Sequence, residues 1–187
     1  MTTELKLIPS GSQTVGPYFR IGLQHLIDCV PVPEEESPEL ITIRGQVLDR
    51  DGTPVNDAML EFWAPATEGK EAMGKDDQAP YPAGFRRAAT DANGTFSITI
   101  RRPVSIALGD ETMQAPHFLV LVFARGLLRH LISRVYITDG PSNVSDPILR
   151  QISPERRGTL IAQQDGPGTF RWNVRLQGQD ETVFFAW

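Results

Sequence analysis

His117-Phe118-Leu119-Val120-Leu121-Val122-Phe123-Ala124-Arg125-Gly126, followed closely by Leu131-Ile132-Ser133-Arg134-Val135-Tyr136-Ile137, is the stretch whose reading decides the fold. It is the densest apolar run in the chain. It reads as two adjacent strands, Phe118–Ala124 and Leu131–Ile137, joined by a turn at Arg125-Gly126. The first run is apolar on both faces, which predicts a strand buried in a sandwich core. The polar groups at the ends of these two strands, His117, Arg125 and His130, are the first candidates for any chemistry.

Working outward toward the N-terminus, β signals continue. Thr95–Arg101 and Phe85–Thr90 flank Asp91-Ala92-Asn93-Gly94, a hairpin with an Asn-Gly turn. Ala58–Trp63 is a further strand. Ile41, Ile43 and Val47 alternate with Thr42, Arg44 and Gln46, the period of a half-buried strand. Lys70–Pro82 and Pro103–Pro116 read as loops. Residues 1–39 differ in kind: Pro9, Pro17, Pro31, Pro33 and Pro38 break them up, which predicts an extended arm with a turn at Gly16-Pro17. Gly22–Cys29 has room for one or two helical turns. The apolar residues Val15, Tyr18, Phe19, Ile21 and Leu23 require the arm to pack on its own core or on a partner.

Beyond Asp139, Asp146-Pro147 and Ser153-Pro154 each pair a capping residue with proline at the first helical position. They predict short helices over Pro147–Ile152 and Pro154–Thr159. Thr169–Leu176 and Thr182–Ala186 read as closing strands. Many short strands with close turn signals predict an all-β fold, an antiparallel β-sandwich with short helices in its loops. The expected organisation is one domain over 1–187, with an arm at 1–39 and the sandwich at 40–187.

Charge and composition narrow the function. The formal net charge is −5, and Lys and Arg are scattered rather than clustered, so nothing points to nucleic acid. The longest apolar run is too short to cross a membrane, and residues 1–10 lack a signal-peptide core, so a cytoplasmic protein is expected. Cys29 is the only cysteine, which excludes an internal disulfide and a cysteine-based zinc site. It has no evident histidine partner and reads as an ordinary thiol.

The chain has three histidines and three tyrosines. A second metal ligand on the strand face of His117 has to come two residues later, and that position is Leu119, which cannot coordinate. No His-x-His or Glu-x-x-His spacing occurs, and no phosphate loop or Gly-x-Ser-x-Gly is present. His117 therefore reads as a strand-end histidine bonded to a neighbour. Asp49, Asp51, Asp57, Asp91 and Asp110 read as turn residues. No catalytic set assembles in this chain. Arg125, at the rim of the core, can present a guanidinium fork to a carboxylate, or can serve structurally by bonding loop carbonyls or a nearby acid.

Several motifs resemble the intradiol ring-cleavage dioxygenases. Pro9-Ser10-Gly11-Ser12-Gln13-Thr14-Val15-Gly16-Pro17-Tyr18 is similar to the family's opening arm. Gly45–Asp49 through Glu61–Trp63, and Arg87–Asp91 through Gly94–Phe96, resemble its sandwich hairpins, which occur widely and carry little weight. Ala115-Pro116-His117, Phe123-Ala124-Arg125-Gly126, Arg157–Ala162 and Gln177–Phe185 resemble the family's α-type chains.

Iron-bearing members of the family hold Fe(III) with two tyrosines and two histidines. Here the first tyrosine position falls near Glu71, the loop Pro103–Pro116 has no tyrosine, His117 fits the first histidine, and Leu119 stands at the second. Tyr81 could replace one ligand but not the missing histidine. The resemblance thus implies no metal in this chain, His117 as a vestigial metal position, and Fe(III) held by a homologous β-type partner in a hetero-oligomer. It implies O2 and the dihydroxybenzoate protocatechuate as substrates, cleaved to 3-carboxy-cis,cis-muconate. It also implies that Thr14, Gly16, Pro17, Tyr18 and Arg125 wall the partner's pocket. Two rivals remain: a non-enzymatic transthyretin-like binding module, and a self-sufficient metal enzyme with altered ligands.

Overall fold

The computed structural model describes residues 10–28, 40–64, 84–109, 112–138 and 140–186. Cys29, Glu71, Tyr81 and the loop Lys70–Pro82 therefore fall wholly or mostly outside the described residues. Among the described residues the first regular element is a helix, α1 (Gly16–Asp28), preceded by residues 10–15 without regular structure. Eleven strands follow among the described residues: β1 (Leu40–Leu48), β2 (Met59–Trp63), β3 (Phe85–Ala89), β4 (Thr95–Arg101), β5 (Ile106–Ala107), β6 (Met113–Gln114), β7 (His117–Phe123), β8 (Leu131–Ile137), β9 (Ile161–Gly166), β10 (Thr169–Arg171) and β11 (Val174–Arg175).

The strand order is β11-β1-β10-β9-β8-β7-β2-β3, with β4 also paired to β1, and β5-β6 form a separate two-stranded ribbon. The sheet doubles over into two layers. Phe62 of β2 sits between them, with ring centroids 6.1 Å from Phe96, 6.1 Å from Phe118 and 6.4 Å from Trp172. Around it lie Ile41, Ile43, Val47, Val120, Val122, Val135 and Phe170, all almost fully buried. The all-β sandwich is the fold that the alternating strands predict. Its pairing is antiparallel except where β1 meets β10 and β11 and where β8 meets β9.

Several local expectations change. The arm holds a 13-residue helix, not one or two turns. Gly16 adopts φ +65°, after which Pro17 falls in the first helical turn, where its missing N–H costs nothing. Phe19, Leu23, Leu26 and Ile27 then repeat at helical spacing and form the half-buried face. Strand β7 is not buried on both faces: Phe118, Val120 and Val122 are buried, while Leu119, Leu121 and Phe123 are only half-buried.

The expected strand Thr169–Leu176 is two pieces: the Trp172 N–H still donates to the Arg44 carbonyl oxygen, but the next β1 donor, Gln46 N–H, is taken by the Asn173 side-chain oxygen instead of a backbone carbonyl. Thr182–Ala186 pairs too sparsely to form a strand, and Ile161–Gly166 is a strand that alternation alone did not mark. Pro147–Ile152 yields only a 3₁₀ turn over Leu149–Gln151, while Pro154–Arg157 is α-helical (α2) and continues as 3₁₀ to Leu160. The loop Pro103–Pro116 contains β5 and β6. Among the described residues no helix is long and apolar enough to cross a membrane.

Candidate functional site

The two ends of β7 carry the polar residues of interest. At its C-terminal end the chain reverses at Arg125-Gly126, and Gly126 adopts φ +86°, a conformation that strongly favours glycine. The Gly126 N–H donates to Thr14 Oγ1 at 2.8 Å. This bond ties the arm to the turn, although the two residues are far apart in sequence. Just beyond it, the Phe19 ring of α1 packs on Phe123 with centroids 5.1 Å apart, and Phe123 in turn meets His130 at 5.3 Å. Thr14, Gly16 and Arg125 thus share one ledge of the molecule.

The opposite face of α1 is open. Tyr18 is 81% exposed and Ile21 58% exposed. An added Cβ at Gly16 would meet no atom within 4 Å, so backbone conformation rather than crowding within this chain calls for glycine there. Beside the ledge runs an open groove of about 650 Å³, lined by Val15, Phe123, Leu128, His130, Phe184 and Ala186 among others. Arg125 is 65% exposed, and its Nε lies 2.9 Å from Oδ2 of Asp57. Among the described residues Asp57 is its ion-pair partner, and the side chain is less enclosed than its place at the end of an apolar strand implies.

The other end of β7 is closed. His117 is buried, and its Nδ1 lies 2.8 Å from the Ala115 carbonyl oxygen. Its ring faces that of Tyr136, its cross-strand neighbour on β8, at 5.2 Å. Burial lowers the imidazole from its ordinary value, which favours the neutral ring. The Tyr136 hydroxyl donates to Asp146 Oδ1 at 3.2 Å, and burial pushes this phenol up to about 12. Asp146 is fully buried and also accepts from the backbone N–H groups of Ala115, Ile148 and Leu149 at 2.7–2.9 Å. Arg134 donates to Gln114 Oε1 at 2.6 Å. The polar groups at this end are turned toward one another.

Residues 15–178 match the family model described as Dioxygenase. Over 201 aligned residues the chain is 41% identical to the protocatechuate 3,4-dioxygenase alpha chain of Burkholderia cepacia, with 98% of each chain covered. This chain belongs to the intradiol dioxygenase family. A protocatechuate 3,4-dioxygenase beta chain of the same organism is 25% identical, with 77% of this chain and 67% of that one covered. Among solved structures, the dioxygenase domain of a carbohydrate-binding fusion protein from Streptomyces sp. SirexAA-E superposes with a TM-score of 0.55 at 19% identity, covering 95% and 96% of the two chains. That likeness shows the fold.

The closed end does not suit the Fe(III) that the family implies. Leu119 offers no donor atom, and the register sets it directly opposite Arg134, whose positive charge opposes a cation. The Tyr136 hydroxyl is already committed to Asp146. Among the described residues, no three His, Cys, Asp or Glu side chains gather as a metal site.

Sequence reasoning gathered Thr14, Gly16 and Arg125 from the family's motifs, and the structure brings them together. The Pro17 backbone opens α1, and Tyr18 points outward from it. Reasoning missed Asp57 and Asp146. Asp49 and Asp91 do act as turn residues, each accepting two backbone N–H bonds. Asp57 also lies in a turn, but its carboxylate meets Arg125 rather than backbone N–H groups. The signal that finds it is the β2–β7 register: Met59 pairs with Phe123, so Asp57 and Arg125 lie two residues beyond that pair, facing each other. Asp146 was read as a helix cap, which is half of its role.

Proposed function

We propose that this chain is the iron-free, α-type subunit of a heteromeric intradiol dioxygenase, paired with a homologous iron-bearing β-type subunit. The complex cleaves protocatechuate between its two hydroxyl-bearing carbons. Both atoms of O2 enter the product, 3-carboxy-cis,cis-muconate. The partner's Fe(III), when bound, activates the catecholate toward O2. A cytoplasmic location suits such a complex and its small soluble substrate.

In this reading Thr14, Gly16, Pro17, Tyr18 and Arg125 wall the partner's pocket. The observation that carries it is the bond from the Gly126 N–H to Thr14 Oγ1, which joins the arm to the Arg125 turn as one ledge. Two further features support it. Tyr18 and Ile21 leave an apolar face of α1 uncovered, as a surface awaiting a partner would. The outer end of the Arg125 guanidinium is open to an anion. A planar fork suits the substrate carboxylate, and the charge lowers the cost of holding an anionic ring near the ledge.

Kinetics of the intact, iron-loaded complex test the reading. Replacing Arg125 by Ala is expected to lower kcat/KM by about ten- to a hundredfold, the equivalent of one charge-assisted hydrogen bond of about 1.5–3 kcal/mol. Arg125→Lys should recover only part of the loss, because an ammonium lacks the fork. Wild-type kinetics in Arg125→Ala would end the substrate-side role of this residue.

A further inference from the structure

Asp57 stands against the Arg125 ledge. Its side chain is 12% exposed, and Arg125 Nε approaches Oδ2 to 2.9 Å. Among the described residues neither carboxylate oxygen accepts a well-directed hydrogen bond, so this is a charge contact rather than an aligned bond. A carboxylate so enclosed is tolerated only beside a compensating charge. Arg125 supplies it, two residues past the Met59–Phe123 pair that fixes the register.

The edge used is informative. A guanidinium has one edge containing Nε and another formed by its two Nη groups. Asp57 engages the Nε side, nearest the main chain. Among the described residues no partner occupies the Nη end, and the side chain as a whole is 65% exposed. From the other direction, Thr14 fixes the Gly126 N–H at the same turn. The backbone of the turn and the inner edge of the guanidinium are therefore both anchored, while among the described residues nothing is hydrogen-bonded to the outer fork.

We propose that Asp57 is a positioning residue for Arg125, holding its inner edge so that the Nη fork is presented outward to the carboxylate of the substrate. The inference rests on the substrate-side role of Arg125 given above. Asp57 has two opposing effects. It restricts a long side chain that would otherwise sample many rotamers, and it offsets part of the arginine's charge. The offset is weakened by solvent because Arg125 is mostly exposed, so the restriction dominates.

Steady-state kinetics of the iron-loaded complex, carrying Asp57→Ala or Asp57→Asn in this chain, provide the test. Protocatechuate is compared with catechol, the same ring without the carboxylate. For Asp57→Ala, KM for protocatechuate should rise by about three- to tenfold with kcat within about twofold, and the catechol parameters should not move. Asp57→Asn keeps an oxygen beside Nε and should fall between wild type and Ala; it is the variant to read if Asp57→Ala does not assemble. Adding Asp57→Ala to Arg125→Ala should cost nothing further in KM. Unchanged KM in both Asp57 variants, alongside an impaired Arg125→Ala, overturns the positioning role and leaves the Arg125 reading intact. Tighter binding in both variants overturns it as well, since the carboxylate would then only attenuate the charge. Equal losses on both substrates would show a merely structural role. Wild-type kinetics in Arg125→Ala remove the underlying reading, and the inference with it.

Discussion

Strand β7 begins at a closed polar knot and ends at an open one. At the His117 end, Asp146 accepts four hydrogen bonds, Tyr136 is fully buried, and Gln114 meets Arg134. At the Arg125 end, one carboxylate meets one exposed guanidinium, and the arm joins through an exposed Thr14 hydrogen bond and the Phe19–Phe123 ring contact. The end with the residue types that suggest chemistry, His and Tyr, has its polar groups committed to the fold. The end with the Arg-Gly turn leaves most of its guanidinium exposed. A polar residue's availability, more than its type, separates a site from a structural network.

The largest effect that separates the two ends should come from Asp146. Asp146→Ala strips an acceptor from the Tyr136 hydroxyl and three buried or half-buried N–H groups. It is expected to cost about 3–4 kcal/mol of stability, measured by urea or thermal unfolding of the chain. A change below about 1 kcal/mol would mean that the closed end is not the tight network described.

Tyr136 gives a smaller, pH-dependent effect. Its folded value, about 12, lies above the ordinary 10. The folded state therefore holds the phenolic proton more tightly than the unfolded state. This contribution is fully present below pH 10 and is lost as pH rises from about 10 to 12, with a size of about 1–3 kcal/mol. Tyr136→Phe should flatten that loss relative to wild type when stability is compared at pH 9 and pH 11.5. Parallel curves for the two proteins would show that this phenol ionises freely.

At the open end the expected effects on folding are slight. Thr14→Val keeps the side-chain shape and removes the acceptor for the Gly126 N–H. In the assembled complex it should lower kcat/KM by about threefold, with the unfolding transition of the chain shifted by less than about 1 kcal/mol. A larger loss of stability than of kcat/KM would make the arm contact part of the fold and blur the contrast between the two ends.

How much of this was legible before the structure follows the same division. Strands with clear alternation, such as Leu40–Leu48, and the hairpin at Asp91–Gly94 follow from local pattern. Helix α1 was masked by proline density and Gly22, although Phe19, Leu23, Leu26 and Ile27 carry its period. The short strands at Ile161–Gly166 and Val174–Arg175 owe their existence to neighbours, since β9 pairs in parallel with β8, and β11 with β1. Local propensity does not encode such long-range pairing. In the site, Thr14, Gly16 and Arg125 were reachable through the family's motifs. Asp57 was not, because a turn aspartate looks the same in sequence whether it bonds its own loop or faces an arginine across a register.

In the proposed reading this chain contributes a wall to the partner's pocket and not a metal centre. Iron content is the most direct test, measured together with visible absorption on the folded chain expressed alone and on the chain co-expressed with an iron-bearing β-type partner. Iron and ferric-tyrosinate colour are expected only in the co-expressed complex. Stoichiometric iron bound to the isolated, folded chain would contradict it.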